Sequence, residues 1–248
     1  MPAPRLIAID MDGTLLNSAG VVSPRNLAAL ERAEARGVEI VVATGRRHCY
    51  AMRVLRELAR PPASALISSN GTVIRTLDSQ LLHRSHMPTP TARWLCEHIG
   101  DFRNTLVLTF DRVRPDGEDD HGALVCEDID QLNASIGRWM EANAPYIQHV
   151  SSVEQALDGH ALIQMMLCGS IDRMRQAEAH LLKDRRVTDK EDPRITNTEV
   201  QREGVAPAPE VVLHRTEYAA RDLCILDILP AGCSKASALL HLASLRHI

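Results

Sequence analysis

The chain has 248 residues, 45% of them hydrophobic and 24% charged, so a packed core is expected and disorder is not. Its 28 basic and 32 acidic residues leave a formal net charge of −4, which gives no electrostatic footprint for nucleic acid or an anionic membrane. Aromatics are only 3%, and the six cysteines (Cys49, Cys96, Cys126, Cys168, Cys224 and Cys233) show no C-x-x-C spacing, which excludes a zinc ribbon and a thioredoxin-like motif.

Scattered single cysteines in a chain of this length read as reduced. No uncharged run approaches transmembrane length, and Leu6 to Ile9 is too short for a signal-peptide core, so the expected address is the cytoplasm. Leu6 to Ile9 is instead read as a first strand. Ser23-Pro24 is a helix start, with a serine cap and proline at the first helical position. Leu27, Leu30 and Ala33 follow at helical spacing, and Gly37 ends the segment. Val38 to Ala43 is a second strand. Arg47 to Leu58 is a second helix, ended by Pro61-Pro62. Ala65 to Ser68 is a third strand, and Asn70-Gly71 is a tight-turn signal before Thr72-Val-Ile.

Strand, helix, strand, helix, strand implies a parallel sheet with right-handed crossovers. Ligands bind such sheets beyond the carboxyl ends of the strands. Three segments lie there: Asp10-Met-Asp-Gly13, Thr44-Gly-Arg46 and Ser69-Asn-Gly71. From about residue 86 the pattern changes. His83 to Pro90 reads as a proline-containing connector, with His83 and His86 as connector residues. A helix around Trp94 and Ile99, a strand at Thr105 to Phe110 and a strand at Ala123 to Cys126 follow. Next come a helix at Leu132 to Met140, a strand at Ala161 to Cys168 and a helix at Ile171 to Leu182. The loop carrying Asp116, Glu118, Asp119 and Asp120 is expected to be solvated, and Lys183 to Glu210 is polar without a clear assignment. Leu223 to Leu229 is a last strand, and Lys235 opens a helix running to about Leu245. Residues 86–229 are therefore expected to form an α+β unit inserted into a core of residues 1–85 and 230–248.

Asp10 and Asp12 stand two residues apart just past a strand, so both carboxylates point the same way if the backbone stays extended. One can attack as an anion while the other carries a proton, and a divalent cation would offset their repulsion and hold a phosphate nearby. Gly13 lets the backbone turn close to a ligand. An Asp-Gly turn between two strands is the competing reading. A calcium loop fails on spacing, because its first and twelfth positions would be Ala8 and Ala19. The free N–H groups and hydroxyl at Thr44-Gly45-Arg46 suit an anion, and a simple helix cap is the alternative. Lys235, one of only three lysines with Lys183 and Lys190, could approach the strand-end carboxylates and neutralise charge.

Together these segments resemble the haloacid dehalogenase superfamily, specifically its phosphatases with an inserted α/β cap (Cof-like, type IIB). Ile9-Asp-Met-Asp-Gly-Thr-Leu-Leu16 is similar to the family's first motif and Thr44-Gly-Arg46 to the second. Ser69-Asn-Gly71 resembles a turn typical of the subfamily, and Leu226-Asp-Ile-Leu-Pro-Ala-Gly-Cys-Ser-Lys235 the third motif. The resemblance implies a Rossmann-like core with a cap and a Mg2+-dependent phosphatase acting on small phosphorylated metabolites. In it, Asp10 is the nucleophile that forms an aspartyl-phosphate, and Asp12 is the acid and then the base. Thr44 holds the phosphoryl group, and Lys235 orients Asp10. Magnesium would sit on the Asp10 carboxylate and the Asp12 backbone carbonyl. Met11, Gly13, Gly45, Arg46 and Asn70 would line the phosphate site.

The family's fourth motif, an acidic stretch on the next strand, has no counterpart, since no Asp or Glu follows Lys235. The expected core therefore lacks its final strands, and Leu6 to Ile9 becomes an open apolar edge that leaves self-association open. An inactive truncated remnant that binds phosphate or a partner, and a phosphomutase, stand as alternatives.

Overall fold

The computed structural model describes residues 4–57, 63–128, 134–189 and 208–248. The expected helix stop at Pro61-Pro62, Leu132, and most of the unassigned stretch before Glu210 lie outside these residues. The described residues form two compact units. One comprises Met1–Ser85, Val113–Asp119 and Cys233–Ile248; the other comprises His86–Arg112 and Asp120–Gly232.

In the first unit, β1 (Leu6–Asp10), β2 (Glu39–Ala43) and β3 (Ala65–Ser68) pair in parallel. β4 (Val73–Thr76) and β5 (Leu81–Arg84) extend the sheet antiparallel, in the order β1-β2-β3-β4-β5. β5 overlaps the stretch expected to be a connector. Leu81, His83 and Arg84 pair back along β4, which places His83 in a strand, with its ring 4.0 Å from that of His241 between centroids. β1 lies at the edge of the described sheet, with β2 as its partner.

Helices α1 (Pro24–Glu34) and α2 (His48–Arg56) pack on one face and α6 (Lys235–Leu245) on the other. The alternation in β2 directs this arrangement, because successive side chains of a strand point to opposite faces. Ile40 and Val42 join Leu30, Ala51, Met52 and Leu55, whereas Val41 and Ala43 join Ala238 and Leu242. Burial on both faces explains why β2 and β3 read as continuous apolar runs. Local chemistry starts the helices. Ser23 Oγ accepts the Asn26 N–H at 3.1 Å ahead of Pro24. Ser234 and Ser237 exchange side-chain and backbone bonds in a capping box that opens α6.

The second unit holds a seven-stranded sheet in the order β10-β11-β12-β9-β6-β7-β8. Its strands are β6 (Leu106–Phe110), β7 (Leu124–Cys126), β8 (Ile147–His149), β9 (Leu162–Gly169), β10 (Val187–Asp189), β11 (Val211–Tyr218) and β12 (Leu223–Pro230). α3 (Thr89–His98) and α5 (Ile171–Leu181) cover one face through Leu95, Met174 and Leu181 against Leu108, Met165, Leu213 and Leu226. α4 (Ala134–Asn143) brings Ile136 and Trp139 beside Met166, Cys168 and Ile225 of the other face. Arg103 ties the unit together, donating to Glu127 at 2.6 and 3.1 Å, to Glu154 at 2.6 Å and to the Cys96 carbonyl at 3.2 Å. Those bonds hold the Glu154 carboxyl down at about 2. Among the described residues, no helix is long and apolar enough to cross a membrane.

One segment departs from the expected division. Val113–Asp119 lies between β6 and β7 in sequence but groups with the first unit. Its acids are not uniformly solvated, as the sequence suggested: Asp119 is only 5% exposed. Arg47 at the start of α2, and Arg53 and Arg56 on it, meet this loop and shield Asp119 and Glu118 from water, while Asp116 stays exposed.

Candidate functional site

β1, β2 and β3 run in parallel, so Asp10, Thr44 and Ser69 emerge at the same end of the sheet. The backbone is extended at Asp10 (φ −69°, ψ 144°) but does not stay so: a helical turn over Met11–Leu15 begins at Met11, and within it Asp12 is again extended (φ −82°, ψ 122°) and Gly13 has φ +75°. A left-handed φ suits glycine because it has no Cβ. Met11, between the two acids, is fully buried and anchors the turn in the core. The turn closes with the Leu16 N–H donating to the Met11 carbonyl at 2.9 Å. Asn26 on α1 reaches back to the Thr14 and Leu15 carbonyls at 3.4 and 3.3 Å.

Thr44 is buried, and its N–H donates to the Ile67 carbonyl at 2.8 Å. Its Oγ1 accepts the Arg46 N–H at 3.1 Å, which bends the chain between β2 and α2. Gly45 lets the next turn approach closely, since a Cβ there would stand 2.8 Å from Asn70 Oδ1. Asn70 donates its N–H to the Thr44 carbonyl at 3.2 Å, and Ser69 donates to the Arg46 carbonyl at 2.9 Å. Two of the three strand-end segments are thereby bonded to each other. Ser69, Asn70 and Gly71 all have positive φ. At Gly71, φ is +102° and a Cβ would fall 2.2 Å from the Ser234 carbonyl oxygen. This close approach seats the start of α6 against the turn.

Seating α6 there brings Lys235 to Asp10, with Nζ donating to Asp10 Oδ1. Arg46 grips Asp12 with two bonds, Nη2 to Oδ1 at 2.6 Å and Nε to Oδ2 at 3.0 Å. Each acid thus faces one base, and all four side chains are a third or more exposed. The structure brings together Asp10, Asp12, Arg46 and Lys235 as pairs, with Thr44, Gly45 and Asn70 bonded or packed beside them. Met11 does not present its side chain to solvent, so only its backbone is available to a ligand.

Among the described residues, no three of His, Cys, Asp and Glu stand together as a metal cage. Magnesium, however, commonly keeps several waters and is held by one or two carboxylates plus substrate phosphate. The hard oxygen donors of Asp10 and Asp12 suit such an ion. Asp119 lies outside the expected set, and nothing local in the sequence marks it. It pairs with Arg47 and accepts the Cys49 thiol proton at 3.1 Å. Burial and this carboxylate push the Cys49 thiol up to about 12, so it is no nucleophile.

A family model for haloacid dehalogenase-like hydrolases matches residues 7–248. The chain is 46% identical over 79 residues to Phosphatase YwpJ of Bacillus subtilis, covering 32% of this chain and 27% of that protein. It is 41% identical over 90 residues to the B. subtilis 5-amino-6-(5-phospho-D-ribitylamino)uracil phosphatase YcsE, covering 34% of each. These alignments span about a third or less of the length of those relatives. A haloacid dehalogenase-like hydrolase from Bacteroides thetaiotaomicron superposes with a TM-score of 0.65 at 21% identity, over 99% of this chain and 78% of that one. At that identity the likeness establishes the fold. The chain belongs to the haloacid dehalogenase-like hydrolases.

Proposed function

We propose that this member of the haloacid dehalogenase-like hydrolases is a phosphatase of small phosphorylated metabolites that works through a phosphorylated Asp10. The observation that carries the reading is the ion pair between Lys235 and Asp10, residues 225 apart in sequence, at the open end of three parallel strands. A carboxylate in that place, with a buried threonine and an arginine beside it, has the parts of a phosphoryl-transfer site.

Asp10 attacks phosphorus, and the bond from phosphorus to the leaving oxygen breaks as the aspartyl-phosphate forms. Lys235 fixes the attacking oxygen and offsets its charge. Asp12 gives a proton to the leaving oxygen and then takes one from the water that hydrolyses the intermediate. Arg46 links binding to this proton transfer. It holds both Asp12 oxygens before substrate arrives, and a phosphate dianion offers it an alternative bidentate partner. Once Arg46 turns to phosphate, an Asp12 oxygen is free to take up a proton from solvent, which it then gives to the leaving oxygen. Thr44 Oγ1 and the Gly45 N–H complete the cradle, and Asn70 braces it from the neighbouring turn. Mg2+ held by the Asp10 carboxylate and the Asp12 carbonyl would supply charge neutralisation at the transferring group.

The substrate class is supported by the relatives named above, one of which is a phosphatase of a phosphorylated ribitylaminouracil. The test is to trap the intermediate. With 4-nitrophenyl phosphate the leaving group needs no proton, so Asp12→Ala should still load Asp10 but fail to activate water. Acid-quenched Asp12→Ala protein should carry one phosphoryl group on the peptide containing Asp10, and Asp10→Asn protein should carry none. Absence of the adduct from Asp12→Ala, with steady turnover by the wild type, would rule the covalent route out.

A further inference from the structure

α2 begins with an unfavourable charge pattern. Arg47 stands at its N-cap without a side-chain cap, His48 follows, and the first turn holds no acid. The free N–H groups at a helix start favour anions there and disfavour cations. The absent anion comes from the loop between β6 and β7. Asp119 pairs with Arg47 at a distance of 72 residues in sequence and accepts the Cys49 Sγ–H. The rest of the loop is fastened to the same helix. Arg56 donates to the Asp116 carbonyl at 2.7 Å, and Arg53 and Arg56 stand 3.4 Å from the Glu118 carboxylate. Gly117 admits this contact, because a Cβ there would lie 2.2 Å from Arg56 Nη2.

Arg47 directly follows Arg46. The 44–46 turn is therefore fixed from two sides: the backbone bonds to Ile67, Ser69 and Asn70, and the side chain of Arg47 locked to a buried acid. We propose that Asp119 is a positioning residue: by holding Arg47 it sets the turn that aims the Thr44 hydroxyl and the Arg46 guanidinium at phosphate. This rests on the reading of Thr44 and Arg46 as phosphate contacts. Asp119 touches neither substrate nor reacting atoms.

The test compares wild type, Asp119→Asn and Asp119→Glu by amide hydrogen exchange and by the affinity for inorganic phosphate. Asn keeps the shape and removes the charge. Exchange at residues 45–49 should rise about tenfold in Asp119→Asn, while β3 and β9 keep wild-type rates. Phosphate affinity should fall about tenfold, and Glu should recover most of both. If Asp119→Asn does not fold, Arg47→Lys loses the guanidinium fork but keeps the charge, and the same selective rise is expected. Unchanged exchange at 45–49, or an equal rise throughout the first unit, would overturn the proposal and leave Asp119 a purely stabilising residue. Failure of wild type to bind phosphate would count against the phosphatase reading instead, because the exchange data decide the positioning of the turn without it.

Discussion

Two consecutive arginines meet their acids in opposite surroundings. The Arg46 and Asp12 side chains are 33% and 57% exposed, whereas those of Arg47 and Asp119 are 14% and 6% exposed. An exposed pair of this kind is worth roughly 0–1 kcal/mol, so a ligand can separate it cheaply. Breaking a buried pair by removing one partner costs about 3–5 kcal/mol, because the remaining charge is stranded. Within two residues, then, the turn after β2 changes from a part that can exchange partners to a part that holds still. A phosphate site needs both, a mobile charge that follows the substrate and a backbone that does not move with it.

That contrast can be broken experimentally. Asp119→Ala should lower unfolding free energy by about 3–5 kcal/mol in urea titrations, the largest effect expected here. A loss below about 1 kcal/mol would place the Arg47 pair in the same class as the Arg46 pair. Lys235→Ala should reduce kcat by roughly 10²–10³-fold while the thermal midpoint moves little, since its pairing with Asp10 is 40% exposed on each side. Gly71→Ala should cost about 1–3 kcal/mol through its positive φ. The contact with Ser234 should also move Lys235 off Asp10, so kcat should fall with stability. Arg46→Ala should shift stability by less than about 1 kcal/mol yet weaken phosphate binding clearly, as isothermal calorimetry would show. A stability loss like that of Asp119→Ala would make Arg46 a structural residue and remove it from the cradle.

The parallel core and its strand-end residues were legible because their signals are local. Ser23-Pro24 caps α1, β2 and β3 are apolar runs, and Asp10, Asp12, Thr44, Asn70 and Lys235 lie at pattern changes between strand and turn or turn and helix. What the sequence hid depended on distant partners. β11 is buried from Val211 to Leu213 and exposed from Arg215 to Tyr218, so it has neither a continuous apolar run nor a clean alternation. Its eight residues are held by register against β12 instead. β5 has only four residues and takes its place from pairing with β4. In sequence Asp119 looks no different from Asp116, Glu118 and Asp120 around it, and its burial comes with pairing to an arginine 72 residues away.

The most direct test of the central claim is the hydrolysis of 4-nitrophenyl phosphate by the 248-residue chain, with magnesium and with chelator, beside the folded Asp10→Asn variant. Magnesium-dependent release of phosphate by the wild type, reduced at least about a thousandfold in Asp10→Asn, is the predicted result. Turnover that survives Asp10→Asn, or its absence from folded wild type at high magnesium, would contradict it.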